Sequence, residues 1–283
     1  DAHCGFTALT ELRAEVPPGI MTYAGYGKGV TFWESTDDAS KFVNEFQDLV
    51  SVNNYWFTDS TTCRQTEGGK LITNGERTLT SDECHRAANY GVTTRYVRSL
   101  IEPFGSKPFW NLIEVGHPSA TDSEPTITAA QIRGAVWSSI INGARGIIYF
   151  NHSFGGPCLS FNVLRDRCGD DVRAEVTAVN HQIQRLATVL NSPFVDGLVQ
   201  SDAPVDIAAK MHDGSFYIMV GNKQNAPTEA TILLSCGNAS RVEVIDENRQ
   251  LPMANGAFHD TFTDGNAVHL YRVVDGDTCG LPN

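Results

Sequence analysis

Glu114 is the side chain with the clearest chemical prospect. It closes the run Phe109-Trp110-Asn111-Leu112-Ile113-Glu114, which Lys107-Pro108 and Gly116 bound on either side. Such a run reads as a strand, and a carboxylate at its tip can act as a nucleophile or a proton donor. Three other strand-like runs end among reactive or ring-bearing residues. The first carries Tyr23, Tyr26 and Lys28, with Trp33 and Glu34 just beyond. The second carries Asn54, Tyr55, Trp56 and Asp59, and the last carries Tyr149, Asn151 and His152. Carboxylates among aromatic rings suit sugar cleavage, because ring faces stack on pyranoses while two carboxyls serve as acid/base and nucleophile.

The elements that must hold these residues alternate along the chain. Residues 7–16 read as a helix stopped by Pro17, Pro18 and Gly19. Residues 20–23 read as a strand. Ser35, Thr36 and Asp37 offer caps for a helix over 39–46, with Phe42, Val43 and Phe46 on one face. A strand over 49–57, a polar loop over 58–82 and a helix over 84–101 follow. The strand 109–115 leads to a helix opened by the capping box Thr128/Gln131 and closed by Gly143. The strand 146–150 precedes a helix capped by Asp170 or Asp171, whose apolar face runs Val172, Val176, Val179, Ile183, Leu186 and Leu190. Four strands alternating with four helices predict an α/β fold with parallel strands, and in βα barrels the working groups sit at the strands' C-terminal ends. Asn111, three residues before Glu114, is expected on the opposite, helix-facing side. Beyond Pro193 the pattern changes to strict alternation. Val205, Ile207 and Ala209 meet the turn Asp213-Gly214, then Phe216, Ile218 and Val220. The expected division is 1–195 and 196–283, the second part a small antiparallel sheet region.

Charge and cysteines narrow the function classes. The chain has 283 residues, with 21 Lys+Arg against 33 Asp+Glu and a net charge of −12. That surface repels phosphate backbones and argues against a nucleic-acid partner. No apolar run approaches the roughly 20 residues that a membrane span needs. Seven cysteines include no CxxC pair, and no histidine stands at zinc-finger spacing, so no metal or other cofactor is expected. Cys63 with Cys84, Cys158 with Cys168 and Cys236 with Cys279 bracket local segments. Three such disulfides point to a secreted, extracellular protein. Cys4 is left over. The chain opens on Asp1 with no leader-like segment, as expected of a processed product or a fragment.

Several stretches resemble the second half of a clan A glycoside hydrolase, the (β/α)8 group that includes cellulases and many β-galactosidases. Lys107-Pro108-Phe109-Trp110-Asn111-Leu112-Ile113-Glu114 resembles that family's seventh strand. The stretch 127–154 (ITAAQIRGAVWSSIINGARGIIYFNHSF) resembles its seventh helix and eighth strand, and NNYWF its sixth strand. FHDTF and AVHLYRV resemble the β-sandwich often appended to these barrels. The resemblance implies a (β/α)8 TIM barrel to which this chain supplies strands five to eight. It implies a carbohydrate substrate, a retaining mechanism and no cofactor. It makes Glu114 the nucleophile and Tyr55 the residue that hydrogen-bonds it. Tyr23, Trp33, Trp56, Asn151 and His152 become candidates for contact with the sugar.

One departure matters. The family's acid/base glutamate follows an asparagine at the end of strand four. Here the Asn44-Glu45 pair falls inside a helix, so strand four would lie upstream of residue 1. Asp59 and Glu34 are the fallback acids. Half a barrel has two open edges and a bare core face. An N-terminal half is therefore expected from a missing segment or a second chain, which Cys4 could tether. The alternative is a non-catalytic carbohydrate-binding or structural protein derived from a barrel hydrolase.

Overall fold

The computed structural model describes residues 2–236 and 238–274. The expected pairing of Cys236 with Cys279 involves a residue outside them.

The first helix, α1 (Ala2–Glu15), starts five residues earlier than its sequence suggests, because Phe6 packs on Phe42 and Phe46 with ring centroids 4.5 and 5.7 Å away. Strand β1 (Tyr23–Tyr26) begins three residues later than expected. Ile20 and Met21 stay exposed, and the chain is anchored to the sheet's neighbour at Thr22, whose N–H donates to Asp48 Oδ2 at 2.9 Å. Helix α2 (Thr36–Glu45) is capped by Ser35, which accepts from the Asp38 N–H at 3.1 Å. Strand β2 (Leu49–Val52) is shorter than the run 49–57, because residues 56–58 turn away and carry Trp56 into the core.

The polar stretch 58–82 is not bare loop. It holds a 3₁₀ turn (Ser60–Cys63), the short α3 (Gly68–Ile72) and the start of α4 (Ser81–Cys84), tied by the Cys63–Cys84 disulfide. After α5 (Ala88–Ser99) come β3 (Phe109–Glu114) and α6 (Ala129–Ile141), the latter with both bonds of the Thr128/Gln131 capping box. Strand β4 (Gly146–Phe150) lies where the sequence places it. The final helical stretch divides at Leu186 into α7 (Asp170–Arg185) and α8 (Ala187–Asn191). Its N-cap is Gly169, not Asp170 or Asp171.

The four strands form one parallel sheet in the order β1-β2-β3-β4. Register fixes which way each side chain points. Val50, Val52, Phe109, Asn111, Ile113, Ile147 and Tyr149 share one face, since Val50 pairs with Phe109, Val52 and Ile147 with Asn111, and Ile113 with Tyr149. All but Asn111 pack into or against the two cores under the helices. Asn111, sent to that face by the alternation, finds Thr94 on α5 and Ser139 on α6, with its amide donating at 3.3 and 3.0 Å. The other face carries Tyr23, Trp110, Leu112, Glu114, Ile148 and Phe150. Trp110 lies over Gly146, where a Cβ would sit 2.6 Å from the indole. Trp110, Leu112, Ile148 and Phe150 remain half-buried and join none of the buried cores.

The rest of the described chain is antiparallel: β5 (Val199–Ser201), β6 (Val205–His212), β7 (Ser215–Asn222), β8 (Thr228–Leu234), β9 (Arg241–Val244), β10 (Arg249–Pro252), β11 (Ala257–Phe262) and β12 (Val268–Val274). The Asp213-Gly214 turn joins β6 to β7, both residues having positive φ, as a two-residue hairpin requires. A five-stranded sheet, β10-β9-β12-β7-β6, faces a three-stranded one, β11-β8-β5. Phe216, Ile218, Val220, Ile232, Phe258 and Tyr271 fill the space between them. The outer face of the larger sheet sends Met219, Val268 and Leu270 into the core that holds α6. Sheets thus press on α6 from two directions, which is why it is apolar on nearly every side rather than along a single stripe.

Candidate active site

Glu114 is the last residue of β3. Its pairing with Phe150 places both on the face turned away from the helices. The chain after β2 folds over it. The Phe57 N–H donates to Oε1 at 3.3 Å and the Thr58 hydroxyl to the same oxygen at 3.4 Å. From the first turn of α5, the Tyr90 hydroxyl donates to Oε2 at 2.5 Å and accepts the Trp56 N–H at 3.2 Å. No lysine or arginine pairs with the carboxyl among the described residues. Glu114 has no exposed surface (0 %), and burial pushes its pKa up to about 7, although the Tyr90, Phe57 and Thr58 bonds pull it down. A permanently ionised carboxylate, which a nucleophile at strand seven would imply, is thus not what this environment produces by itself.

The structure assigns the expected tyrosine–carboxyl bond to Tyr90 instead of Tyr55. Tyr55 stands nearby at the sheet's end, its ring 5.5 Å from that of Phe150. Burial and then the Glu114 charge raise its pKa, opposed by a hydrogen bond with Asn53. Sequence reasoning missed Tyr90 because it lies on a helix, 24 residues from Glu114, and no strand-end pattern marks it.

The other candidates separate. Trp56 is completely buried, its Nε1 donating to Thr93 at 2.9 Å, and it is a core residue, not a sugar platform. Tyr23 opens β1 instead of ending it, so it lies at the sheet's N-terminal end, away from Glu114. Both corrections follow from strand ends that the sequence misplaces. Trp33 ends a π-helical turn after β1 and is 60 % exposed. Asn151 and His152 follow β4. The Asn151 carbonyl accepts the Val163 N–H at 2.9 Å, and the His152 ring packs among Phe150, Phe154 and Phe161. His117 is buried with both ring nitrogens engaged, Nδ1 with the Thr126 hydroxyl and Nε2 with the Thr121 carbonyl.

The loops around this end are pinned to one another. Glu124 accepts from Ser60 through N–H and hydroxyl, and Asp122 accepts from the Gly156 N–H at 3.0 Å. Asp59 is held by Lys28 at 2.8 Å, and Glu67 by the same ammonium at 2.6 Å. The Cys158–Cys168 disulfide closes the loop after β4, and Cys4 is free and exposed. Among the described residues, Cys63, Cys84 and His85 come within reach of a common metal ion, but their two sulfurs are joined to each other. No helix of the described residues is long and apolar enough to cross a membrane.

No family model matches the chain, and no curated protein matches it. Solved structures do. A glycoside hydrolase superposes with a TM-score of 0.50 at 10 % identity, over 97 % of this chain and 69 % of that one. At that identity the likeness is one of fold. Also similar are a GH30 endoxylanase from Clostridium papyrosolvens C71 (TM-score 0.48, 13 % identity, 94 % and 59 % covered) and a bifunctional glucanase-xylanase from a metagenome library (0.48, 12 %, 96 % and 59 %). The chain spans about three fifths of the length of these last two.

Proposed function

We propose that the chain is part of a secreted, retaining glycoside hydrolase, in which the parallel sheet supplies strands five to eight of a (β/α)8 barrel and residues 196–283 form an appended β-sandwich. The observation that carries this reading is Glu114 itself: a strand-tip carboxyl on the opposite side of β3 from Asn111 and Ile113, buried and held by Tyr90, Thr58 and the Phe57 N–H. In this role the ionised carboxyl attacks the anomeric carbon of a poly- or oligosaccharide. The glycosidic C–O bond breaks, and a glycosyl ester on Glu114 is later hydrolysed. A second carboxyl, contributed from outside this chain at about 5–5.5 Å, protonates the leaving oxygen and then activates water. Trp33, Asn151 and His152 are the residues placed to meet the sugar, and Tyr55 flanks the nucleophile.

The bare sheet face supports the missing half. Parallel sheets are normally covered on both sides, and here the apolar Trp110, Leu112, Ile148 and Phe150 are only half-buried and join no buried core among the described residues. Four further strands, from a preceding segment or a separate polypeptide, would pair the outer edges of β1 and β4. Exposed Cys4 offers a tether. The two disulfides agree with an oxidising compartment.

The whole protein, with the preceding segment or second polypeptide that completes the barrel, is to be screened on plant and microbial polysaccharides and on a 2-deoxy-2-fluoroglycoside. The reading expects hydrolysis and a covalent label on Glu114, seen by peptide mass spectrometry. Glu114→Gln should lower kcat by at least roughly a thousandfold. Because attack needs the ionised form, kcat/KM should rise with pH through about 7. Full activity of Glu114→Gln defeats the nucleophile assignment. The complete burial of Glu114 favours a second reading, a carbohydrate-binding protein without catalysis. Saccharide binding without turnover, unchanged in Glu114→Gln, would establish it.

A further inference from the structure

A different cavity, at the N-terminal end of the parallel sheet, combines features that the hydrolase reading does not use. It has a volume of about 250 Å³ and lies between β4, α7, α8 and β6. Its walls are aliphatic: Ile140, Ile147, Ile183 and Leu190. Two cations line it, Lys210 and Arg145, both within reach of one aromatic ring. The Lys210 ammonium stands 3.8 Å from the centroid of Phe194, and the Arg145 guanidinium 5.5 Å.

Lys210 is only 1 % exposed, yet no carboxylate pairs with it or with Arg145 among the described residues. That is unusual in a chain with a net charge of −12. Neighbouring cations do have acids: Arg133 has Glu175, Arg185 has Asp246 and Arg95 has Asp206. One ammonium N–H reaches the Ser192 carbonyl at 2.5 Å, and Arg145 reaches the Leu190 carbonyl at 3.3 Å. Ammonium and guanidinium carry three and five donors, so most remain unspent. Asn180, on the same wall, uses its carbonyl oxygen to accept from Tyr149 and keeps its amide donors. Burial and the facing Arg145 lower the Lys210 pKa to about 8, so the ammonium still predominates at pH 7. A buried ammonium without a counter-ion is costly, and an anion held between it and the exposed Arg145 removes that cost.

We propose that this cavity binds a small amphiphilic carboxylate, its anionic end between Lys210, Arg145 and Asn180 and its apolar end against the isoleucines. The aliphatic walls select against a fully hydrated oxyanion such as phosphate. The site lies at the opposite end of the sheet from Glu114 and is independent of any glycosidase activity.

The test is calorimetric titration of the whole chain at pH 7 with benzoate, and separately with inorganic phosphate. Benzoate should bind at one site, and phosphate at least about tenfold more weakly. Lys210→Met should weaken benzoate about tenfold or more, as expected for loss of a charge-assisted bond. Arg145→Leu, at an exposed position where folding is not at risk, should act in the same direction. Arg64→Ala, far from the cavity, should change nothing. Absence of benzoate binding overturns the proposal. So does phosphate binding as tight as benzoate, or benzoate affinity unchanged in Arg145→Leu. If Lys210→Met lowers the melting temperature while benzoate leaves that of the parent unmoved, Lys210 is a structural cap on the carbonyl after α8, and the proposal fails.

Discussion

Two carboxyls in this protein accept a hydrogen bond from a buried tyrosine, and their surroundings drive them in opposite directions. Tyr271 donates to Asp260 at 2.8 Å, and Arg249 clamps the same carboxyl through two bonds of 2.9 and 2.8 Å. Burial pushes Asp260 up, but the Arg249, Tyr271 and Thr261 bonds outweigh it and leave the pKa below its usual value. Tyr90 donates to Glu114 at 2.5 Å, and no cation stands by, so burial prevails. A tyrosine bond alone does not keep a buried carboxyl charged; a guanidinium does. The wider setting follows the same division. Asp260 belongs to sheets that cover each other, whereas Glu114 stands at the tip of a strand whose face is partly bare. Asp260 is paired with a cation of its own fold, whereas the fully buried Glu114 has hydrogen bonds but no counter-ion among the described residues.

The largest expected effect is on Glu114. A folded-state pKa near 7 against 4.5 in the unfolded chain means that the native state holds the proton more tightly. Stability from this group is full below about pH 4.5 and is lost as pH rises through about 7, a difference of about 3 kcal/mol. Glu114→Gln should therefore flatten the urea-unfolding free energy between pH 5 and 8 and make the variant the more stable protein at pH 8. Parallel pH curves for the two proteins would mean that the carboxyl is solvated or paired, and the contrast with Asp260 would vanish.

Next in size is Arg249→Met. Removing the guanidinium leaves Asp260 among apolar neighbours with only Tyr271 and one N–H. Arg249 is itself about a third exposed, so the cost is discounted to about 2 kcal/mol from the larger penalty of a fully buried pair. The Asp260 pKa should then climb, and unfolding should acquire the same sign of pH dependence as Glu114. A loss under about 0.5 kcal/mol, read from chemical denaturation, would show that the clamp holds nothing.

Much of this arrangement was legible in the residues, and the failures share a cause. Period and caps located β3, α6 and β4 closely, because Phe109–Glu114 and Gly146–Phe150 are bounded by proline or glycine and Thr128/Gln131 forms a capping box. The Asp213-Gly214 hairpin was equally plain. Strands β1 and β2 went astray because apolar runs continue past the hydrogen-bonded ladder: Ile20 and Met21 precede one strand, and Tyr55-Trp56-Phe57 follows the other. Those runs are apolar for different reasons. Trp56 and Phe57 bury in the core, while Ile20 and Met21 are exposed. At the site, strand alternation gave the faces of Glu114 and Asn111. It could not give Tyr90, because a contact between a helix's first turn and a strand tip depends on how the intervening chain folds over, and local pattern does not encode that.

The smallest expected effect, at Leu112, probes the bare face directly, with its neighbour Ile113 on β3 as the buried reference. Ile113 points to the helices and is fully buried, whereas Leu112 points the other way and is half-buried. Both lose three carbons on mutation to alanine, so composition and strand propensity nearly cancel between them. Ile113→Ala should cost about 2–5 kcal/mol, the range for a packed core position. Leu112→Ala should cost only about 1 kcal/mol, since half its surface already meets water and no cavity can form beside an uncovered face. The difference, measured by chemical denaturation of the chain alone, reports on whether that face has a cover. If Leu112→Ala costs as much as Ile113→Ala, something already packs there, such as a second copy of the chain. A concentration-dependent midpoint would then reveal the dimer. If the small cost becomes large when a partner polypeptide is added, that partner lies on the sheet, and Glu114 has acquired the second wall that a cleft requires.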